Sequence, residues 1–191
     1  TSPARRGLPL VVSGPSGVGK STVVEALSER RSLDFSVSAT TRDPRRSEVD
    51  GEHYHFVDRS RFEEMIEAGE LLEWAEYAGN LYGTPKGPVV EALESGRDML
   101  LDIENEGAKQ VKENLPEAVL LFILPPSRDE LERRLRGRAD TSEEAIAERL
   151  AVADEQIAEA RSTWDWLVTN DDVTSVMDQI DRILAASERT P

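Results

Sequence analysis

Cysteine is absent from the 191 residues, which removes disulfides, thiolate nucleophiles and cysteine–zinc centres together and fits a cytoplasmic location. Basic residues are scarce: 23 Lys and Arg against 38 Asp and Glu leave a net charge of −15. Such a surface disfavours nucleic acid and anionic membranes as partners. Histidine occurs only as His53 and His55, and with no third ligand in view the pair makes a poor metal site. No apolar run approaches the ~20 residues of a membrane span. The run after Arg5-Arg6 is also too short for an export signal, so Thr1–Arg6 reads as a disordered tail. Internal repeats, heptads and low-complexity linkers are missing as well. What remains is 38% hydrophobic and 32% charged, an ordinary globular composition, long enough for one compact domain with small subdomains.

Short apolar runs punctuated by turn residues organise the chain. Leu8–Ser13, Met99–Ile103, Val119–Leu124 and the weaker Leu167–Thr169 read as buried strands. Helices fall between them. Thr22–Arg30 carries Val23, Val24 and Leu27; Thr84-Pro85 reads as an N-cap and first helical position for a segment running to Glu94. Ser127 with Glu130, and Thr141 with Glu144, have capping-box spacing. The helix after Thr141 carries Ile146, Leu150, Ala153 and Ile157, and a last helix over Val173–Ala186 carries Val176, Ile180 and Leu184. Strands alternating with helices predict an α/β fold with a mainly parallel, doubly wound sheet. Phe35 to Gly83 breaks that rhythm, with short alternating stretches at Phe35–Ser38, Tyr54–Val57 and Leu72–Tyr77 around a helix from Ser60. It reads as an inserted α+β subdomain, and Pro125–Ala160 as a two-helix arm.

Gly14-Pro15-Ser16-Gly17-Val18-Gly19-Lys20-Ser21 matches the P-loop pattern, with a strand before it and a helix after it. Its glycines let several backbone N–H groups converge on one anion at a helix start. Lys20 would reach terminal phosphates and the Ser21 hydroxyl would coordinate Mg²⁺. Met99-Leu100-Leu101-Asp102 is an apolar strand ending in a carboxylate, the Walker B form, which would complete that Mg²⁺ shell; a strand-end Asp capping a turn reads the same way. The guanine motif of a GTPase is missing: Thr169-Asn170-Asp171-Asp172 lacks its lysine.

The insertion therefore carries the identity. Arg42 and Arg45 stand three apart in a proline-containing loop, a spacing suited to gripping a second anion, with Tyr54 and Tyr82 as hydroxyl donors. The alternative is that Arg42, Arg45 and Arg46 form a solvated basic turn answering Glu48 and Asp50.

The run Phe35-Ser-Val-Ser-Ala-Thr-Thr-Arg-Asp-Pro-Arg45 resembles the guanylate kinase signature, as do Gly51–Val57, Leu72–Thr84 and Leu101-Asp-Ile-Glu104. The similarity runs from about Leu8 to Asp172. It implies a P-loop NTPase three-layer fold with an inserted GMP-binding subdomain and a helical lid, forming a single domain. Residues 7–34, 85–124 and 165–191 would be the core, 35–84 the GMP-binding subdomain, and 125–164 the lid and adjoining helix. It further implies transfer of a phosphoryl group from ATP to GMP for purine nucleotide supply, in a monomer or small homo-oligomer. ATP would sit on Gly14–Ser21, Thr22 and Asn170. Arg42, Arg45, Tyr54 and Tyr82 would hold the GMP phosphate, and Ser38, Glu73 and Thr84, with Glu104 nearby, would read guanine. A carboxylate at Glu73 can accept both N1–H and the 2-amino group of guanine, and Thr84 can donate to O6. On residues alone, Glu73 is equally a solvent-facing strand residue beside Glu76.

Arg134 and Arg138 share a helix face if that helix runs far enough, and Arg149 borders the Ile146/Leu150 stripe. The resemblance makes these arginines, with Lys20 and Arg42, the catalytic charge on a lid; otherwise they are surface partners of Glu130 or Glu148. No general base is needed, because a phosphate monoester with a second pKa near ~6 is already mostly dianionic at neutral pH. Glu106 stands where the family usually has Gln, and Ala139 where Gly is usual. Two other readings remain: a non-catalytic module that binds phosphopeptides on the arginine site, and a kinase preferring another base.

Overall fold

A computed structural model describes residues 5–137 and 142–187. Its five-stranded sheet has the order β2-β7-β1-β8-β9, and a four-stranded sheet has the order β4-β3-β6-β5. The strands of the larger sheet are β1 (Pro9–Ser13), β2 (Leu33–Phe35), β7 (Asp98–Asp102), β8 (Val119–Leu124) and β9 (Trp166–Thr169). β2 pairs parallel with β7, and β8 parallel with β9. β1 is buried along its whole length and β8 at every residue but its last, as unbroken apolar runs in a parallel sheet should be. The α/β class with a parallel sheet is thus observed. The chain divides into two compact units, one of residues up to Val11 with Leu33–Ala118, the other of Val12–Ser32 with Val119 onward.

In the first unit, the small sheet consists of β3 (Ala39–Thr40), β4 (His55–Phe56), β5 (Leu71–Tyr77) and β6 (Asn80–Pro85). With α2 (Arg59–Glu67) it encloses Ala39, Phe62, Met65, Leu71 and Leu81. α2 is capped by Asp58, whose side chain accepts from Arg61 N. β5 and β6 form a hairpin whose turn residues Ala78 and Gly79 both have positive φ, 50° and 79°, the geometry of a tight hairpin turn. α3 (Lys86–Glu94) and α4 (Asn105–Asn114) complete the unit.

Several boundaries correct the sequence reading here. Strand β2 ends at Phe35 and joins the larger sheet, so Phe35–Ser38 is not a strand of the insertion. Thr84 does not cap α3: it lies in β6, Pro85 is the N-cap residue, and no side chain caps the helix. β6 and α4 were not expected, the first because Gly83 and Pro85 mask it, the second because its buried residues include Asn105 and Gly107. Nor are Arg5 and Arg6 a loose tail. Arg5 pairs with Asp98 at 3.1 Å, Arg6 with Glu117 at 3.0 Å, and Gly7 N donates to Leu93 O. Thr1–Ala4 lie outside the described residues.

The second unit holds α1 (Lys20–Arg30), α5 (Arg128–Arg136), α6 (Glu143–Thr163) and α7 (Val173–Ser187). Leu131 and Leu135 of α5 pack with Ile146, Leu150 and Ala153 of α6. Ile157, expected in that stripe, is only half-buried, and Ala160 is buried below it. Ser142 caps α6 by accepting from Ala145 N, one residue later than the expected box at Thr141, which lies outside the described residues. Arg30 of α1 pairs with Asp181 of α7 at 2.7 Å. No described helix is long and apolar enough to cross a membrane.

Candidate active site

Within the second unit, Gly14–Gly19 links the end of β1 to the start of α1. Gly17 and Gly19 have φ of 85° and 88°, values at which a Cβ is strained. Space restricts them as well. A Cβ on Gly17 would lie 2.9 Å from Leu135 Cδ2, and one on Gly19 would lie 2.9 Å from Asn170 Nδ2. α1 has no side-chain cap and no acidic residue in its first turn. Its leading N–H groups therefore have no intrahelical acceptor, and its dipole favours an anion at the loop. Ser21 and Thr22 are exposed at this helix start.

The loop is held from beneath. Val18 is fully buried, and its carbonyl accepts from Asn170 Nδ2 at 2.8 Å and from Arg134 Nη1 at 3.1 Å. Arg134 also donates through Nε to Glu130 Oε1 at 2.9 Å. It is thus both the helix-surface partner of Glu130 and a contact of the phosphate loop. Ser127 caps α5 by accepting from Glu130 N at 3.1 Å, whereas the Glu130 carboxylate engages Arg134 and Arg133. Arg149 is exposed on α6. Arg138 and Ala139 lie outside the described residues.

The first unit contains a cavity of about 680 Å³ that gathers Ser38, Tyr54, Glu73, Tyr82, Asp102 and Glu104. Glu73 and Tyr82 come from the paired strands β5 and β6, Asp102 from the end of β7, Glu104 from the residue before α4, and Ser38 and Tyr54 from the segments beside β3 and β4. Register brings Ala39 opposite Gly83 and Thr40 opposite Tyr82 on one side of β6, and Glu73 opposite Thr84 on the other. An irregularity between Leu71 and Glu73 leaves Leu71 and Leu72 both buried and re-aims the next side chain.

Thr84 is fully buried, and its hydroxyl donates to Glu73 Oε1 at 2.8 Å. The sequence reading gave that proton to a ligand oxygen; here it orients the carboxylate. Burial pushes the Glu73 carboxyl above its ordinary value, against the lowering effect of the Thr84 hydroxyl and backbone N–H. A carboxylate so desolvated is stabilised by any ligand that supplies N–H donors.

Arg42 forms a bidentate pair with Glu48, Nη2 to Oε1 at 2.8 Å and Nη1 to Oε2 at 3.0 Å. Its guanidinium lies 5.4 Å from the Tyr54 ring centroid and 5.8 Å from that of Phe56, within cation–π range. The Arg42 side chain is 18% exposed and that of Glu48 13%. Glu48 also accepts from Arg45 N at 2.7 Å. The Arg42 guanidinium, helped by that N–H, holds the Glu48 carboxyl down at about 2, and Glu48 in turn pushes Arg42 above its ordinary value. Arg45 and Arg46 are exposed. Glu48 thus answers Arg42, as the solvated-turn reading had it, but as a structured brace. Asp50 turns elsewhere, accepting from Phe56 N.

The remaining candidates have plain placements. His53 Nδ1 accepts from Val49 N at 3.0 Å, and no group of three or more His, Asp or Glu able to hold a metal occurs among the described residues. Glu106 lines the cavity and pairs with Lys109 at 2.7 Å. Glu48 went unassigned as a site residue in the sequence reading, although it stands three residues after Arg45.

A glycine loop turning into a helix beside a parallel sheet defines a P-loop nucleotide-binding α/β protein. The particular family follows from comparison. A family model described as guanylate kinase matches residues 6–187. The guanylate kinase of Trichodesmium erythraeum is 53% identical over 176 residues, covering 92% of this chain and 94% of that one. The guanylate kinase of Carboxydothermus hydrogenoformans is 48% identical over 187 residues, covering 97% and 91%. Among solved structures, the guanylate kinase from Anaplasma phagocytophilum is similar with a TM-score of 0.69 at 34% identity, over 97% of this chain and 88% of that one. The chain belongs to the guanylate kinase family and is accordingly an enzyme, a nucleotide-binding transferase of the kinase type.

Proposed function

We propose that the chain transfers the terminal phosphoryl group of ATP to GMP, giving ADP and GDP, as a cytoplasmic step of purine nucleotide supply. The observation that carries this reading is the half-buried Glu73 carboxylate, held by the Thr84 hydroxyl in a cavity that also gathers Ser38, Tyr54 and Tyr82. Guanine offers two adjacent donors to such a group, whereas adenine would oppose it with a lone pair. In this reading Ser38 and Glu104 are further base contacts. Arg42, Arg45, Tyr54 and Tyr82 hold the GMP phosphate, and the Glu48 brace presents Arg42.

ATP is assigned to Gly14–Ser21, Thr22 and Asn170. Lys20, Arg134, Arg138 and Arg149, together with Arg42, spread the developing charge, since phosphoryl transfer requires alignment and charge stabilisation more than covalent help. The acceptor is a dianionic phosphate, so no side chain need act as a general base. Ser21 and Asp102 are the hard oxygen donors assigned to Mg²⁺. When bound, Mg²⁺ neutralises phosphate charge and orients the terminal group.

A coupled assay of ADP release with GMP, AMP, UMP and CMP tests the proposal. Turnover is expected with GMP and at a small fraction of that rate with the others. No ADP with any acceptor defeats the proposed reaction, and equal turnover of AMP defeats the guanine assignment.

A further inference from the structure

We infer that helix α4 sets the position of the Glu73 carboxylate, and that Gly107 and Gln110 on it are positioning residues that fix base specificity. The inference rests on the reading of Glu73 as the acceptor of guanine.

β5, which carries Glu73, is an edge strand of the small sheet. An edge leaves backbone N–H and C=O groups without a neighbouring strand. Here side chains of α4 take that place. Gln110 Oε1 accepts from Trp74 N at 3.1 Å, and Gln110 Nε2 donates to Trp74 O at 3.0 Å. One turn on, Asn114 Nδ2 donates to Leu72 O at 3.0 Å. The backbone on both sides of Glu73 is therefore tied to one face of one helix.

The same helix limits the carboxylate itself. Gly107 is buried in the first turn of α4, and a Cβ built there would lie 2.8 Å from Glu73 Oε2 and 2.5 Å from Ile103 Cγ2. Its φ is not positive, so space rather than backbone conformation demands glycine, an otherwise poor helix former. The carboxylate lies between the Thr84 hydroxyl at Oε1 and the bare Cα of Gly107 at Oε2. Accepting two parallel donors from a flat base needs both oxygens in one plane with it, and a small displacement loses one bond before the other. A displaced Glu73 should thus first lose the preference conferred by the 2-amino group.

The test compares GMP with IMP, which keeps N1–H and lacks the 2-amino group, at saturating ATP. Wild type is expected to favour GMP. Gly107→Ala and Gln110→Leu should each raise KM for GMP about tenfold and shrink the GMP-over-IMP ratio in kcat/KM by a similar factor, with kcat and KM for ATP within about twofold. A folded variant that keeps the wild-type ratio overturns the inference, as does one that loses kcat equally for both substrates. If circular dichroism shows Gly107→Ala unfolded, the exposed-side change Gln110→Leu decides. Absence of GMP turnover or of GMP preference in wild type would instead overturn the reading of Glu73. Wild-type preference retained by the variants overturns only the role of α4.

Discussion

Between Gly14 and Gly19 the phosphate loop works with backbone, whereas the cavity from Ser38 to Gly107 works with side chains carried by separate strands, loops and a helix. The loop needs bare Cα atoms and positive φ at Gly17 and Gly19 within six consecutive residues. The side chains in and beside the cavity have partners of their own: the Thr84 hydroxyl for Glu73, and Glu48 with two aromatic rings for Arg42, which lies over the cavity residue Tyr54. An anion with no base to recognise can be gripped by peptide N–H groups alone. In the proposed function one purine is told from another by a desolvated carboxylate that the wrong base leaves unpaired, at a cost.

If the two regions divide the work in this way, damage to each should have a separate signature. Lys20→Ala should have the largest effect, cutting kcat by at least ~10³-fold while GMP still binds in calorimetry. Retained activity would remove Lys20 from the charge clamp. Glu73→Gln should raise KM for GMP by roughly 10- to 100-fold with ATP affinity almost unchanged. A shift in both affinities would erase the proposed division.

Glu73 also gives a pH test. Its folded-state value is raised by burial, so its contribution to the stability of the ligand-free protein is complete below the unfolded value of ~4.3 and is lost as pH rises through the folded value. On the proposed reading guanine pairs with the carboxylate form, so GMP affinity should fall as pH is lowered through that folded value. Calorimetry of Glu73→Gln across the same range should show that dependence gone.

Smaller effects sharpen the contrast. Gly19→Ala should cost about 1–2 kcal/mol in urea denaturation, because it combines a left-handed backbone with a close approach to Asn170. An unchanged midpoint would mean that the loop adapts. Glu48→Gln should raise KM for GMP only a few-fold, since it loosens Arg42 without removing it. Glu48 is lowered to about 2, so its stabilising contribution is present above ~4.3 and lost as pH falls through about 2. Carboxyl titration by NMR with a midpoint above 4 would break the brace.

Much of this was legible in residue order. The P-loop is contiguous, and its φ and space requirements act on residues adjacent in sequence, so Gly17 and Gly19 announce themselves. Val119–Leu124 coincides with β8 because an unbroken apolar run suits a strand covered on both faces. Ser127 caps α5 as its spacing suggested. Where expectation failed, long-range pairing had overridden local preference. The stretch Phe35–Ser38 reads as part of the insertion because nothing near Phe35 reveals its partner Leu100, 65 residues later. Thr84-Pro85 has the local form of a helix start, but pairing with Glu73 keeps Thr84 in β6.

By itself, the sequence determined the α/β alternation, the phosphate loop and, through several motifs in one order, the resemblance to guanylate kinases, because each depends on near neighbours or on composition. Tertiary structure alone decided what Glu73 faces, that Thr84 spends its proton on that carboxylate, and that Gly107 must be bare. Those outcomes depend on sheet register and helix packing between residues tens of positions apart, and no local spacing encodes them.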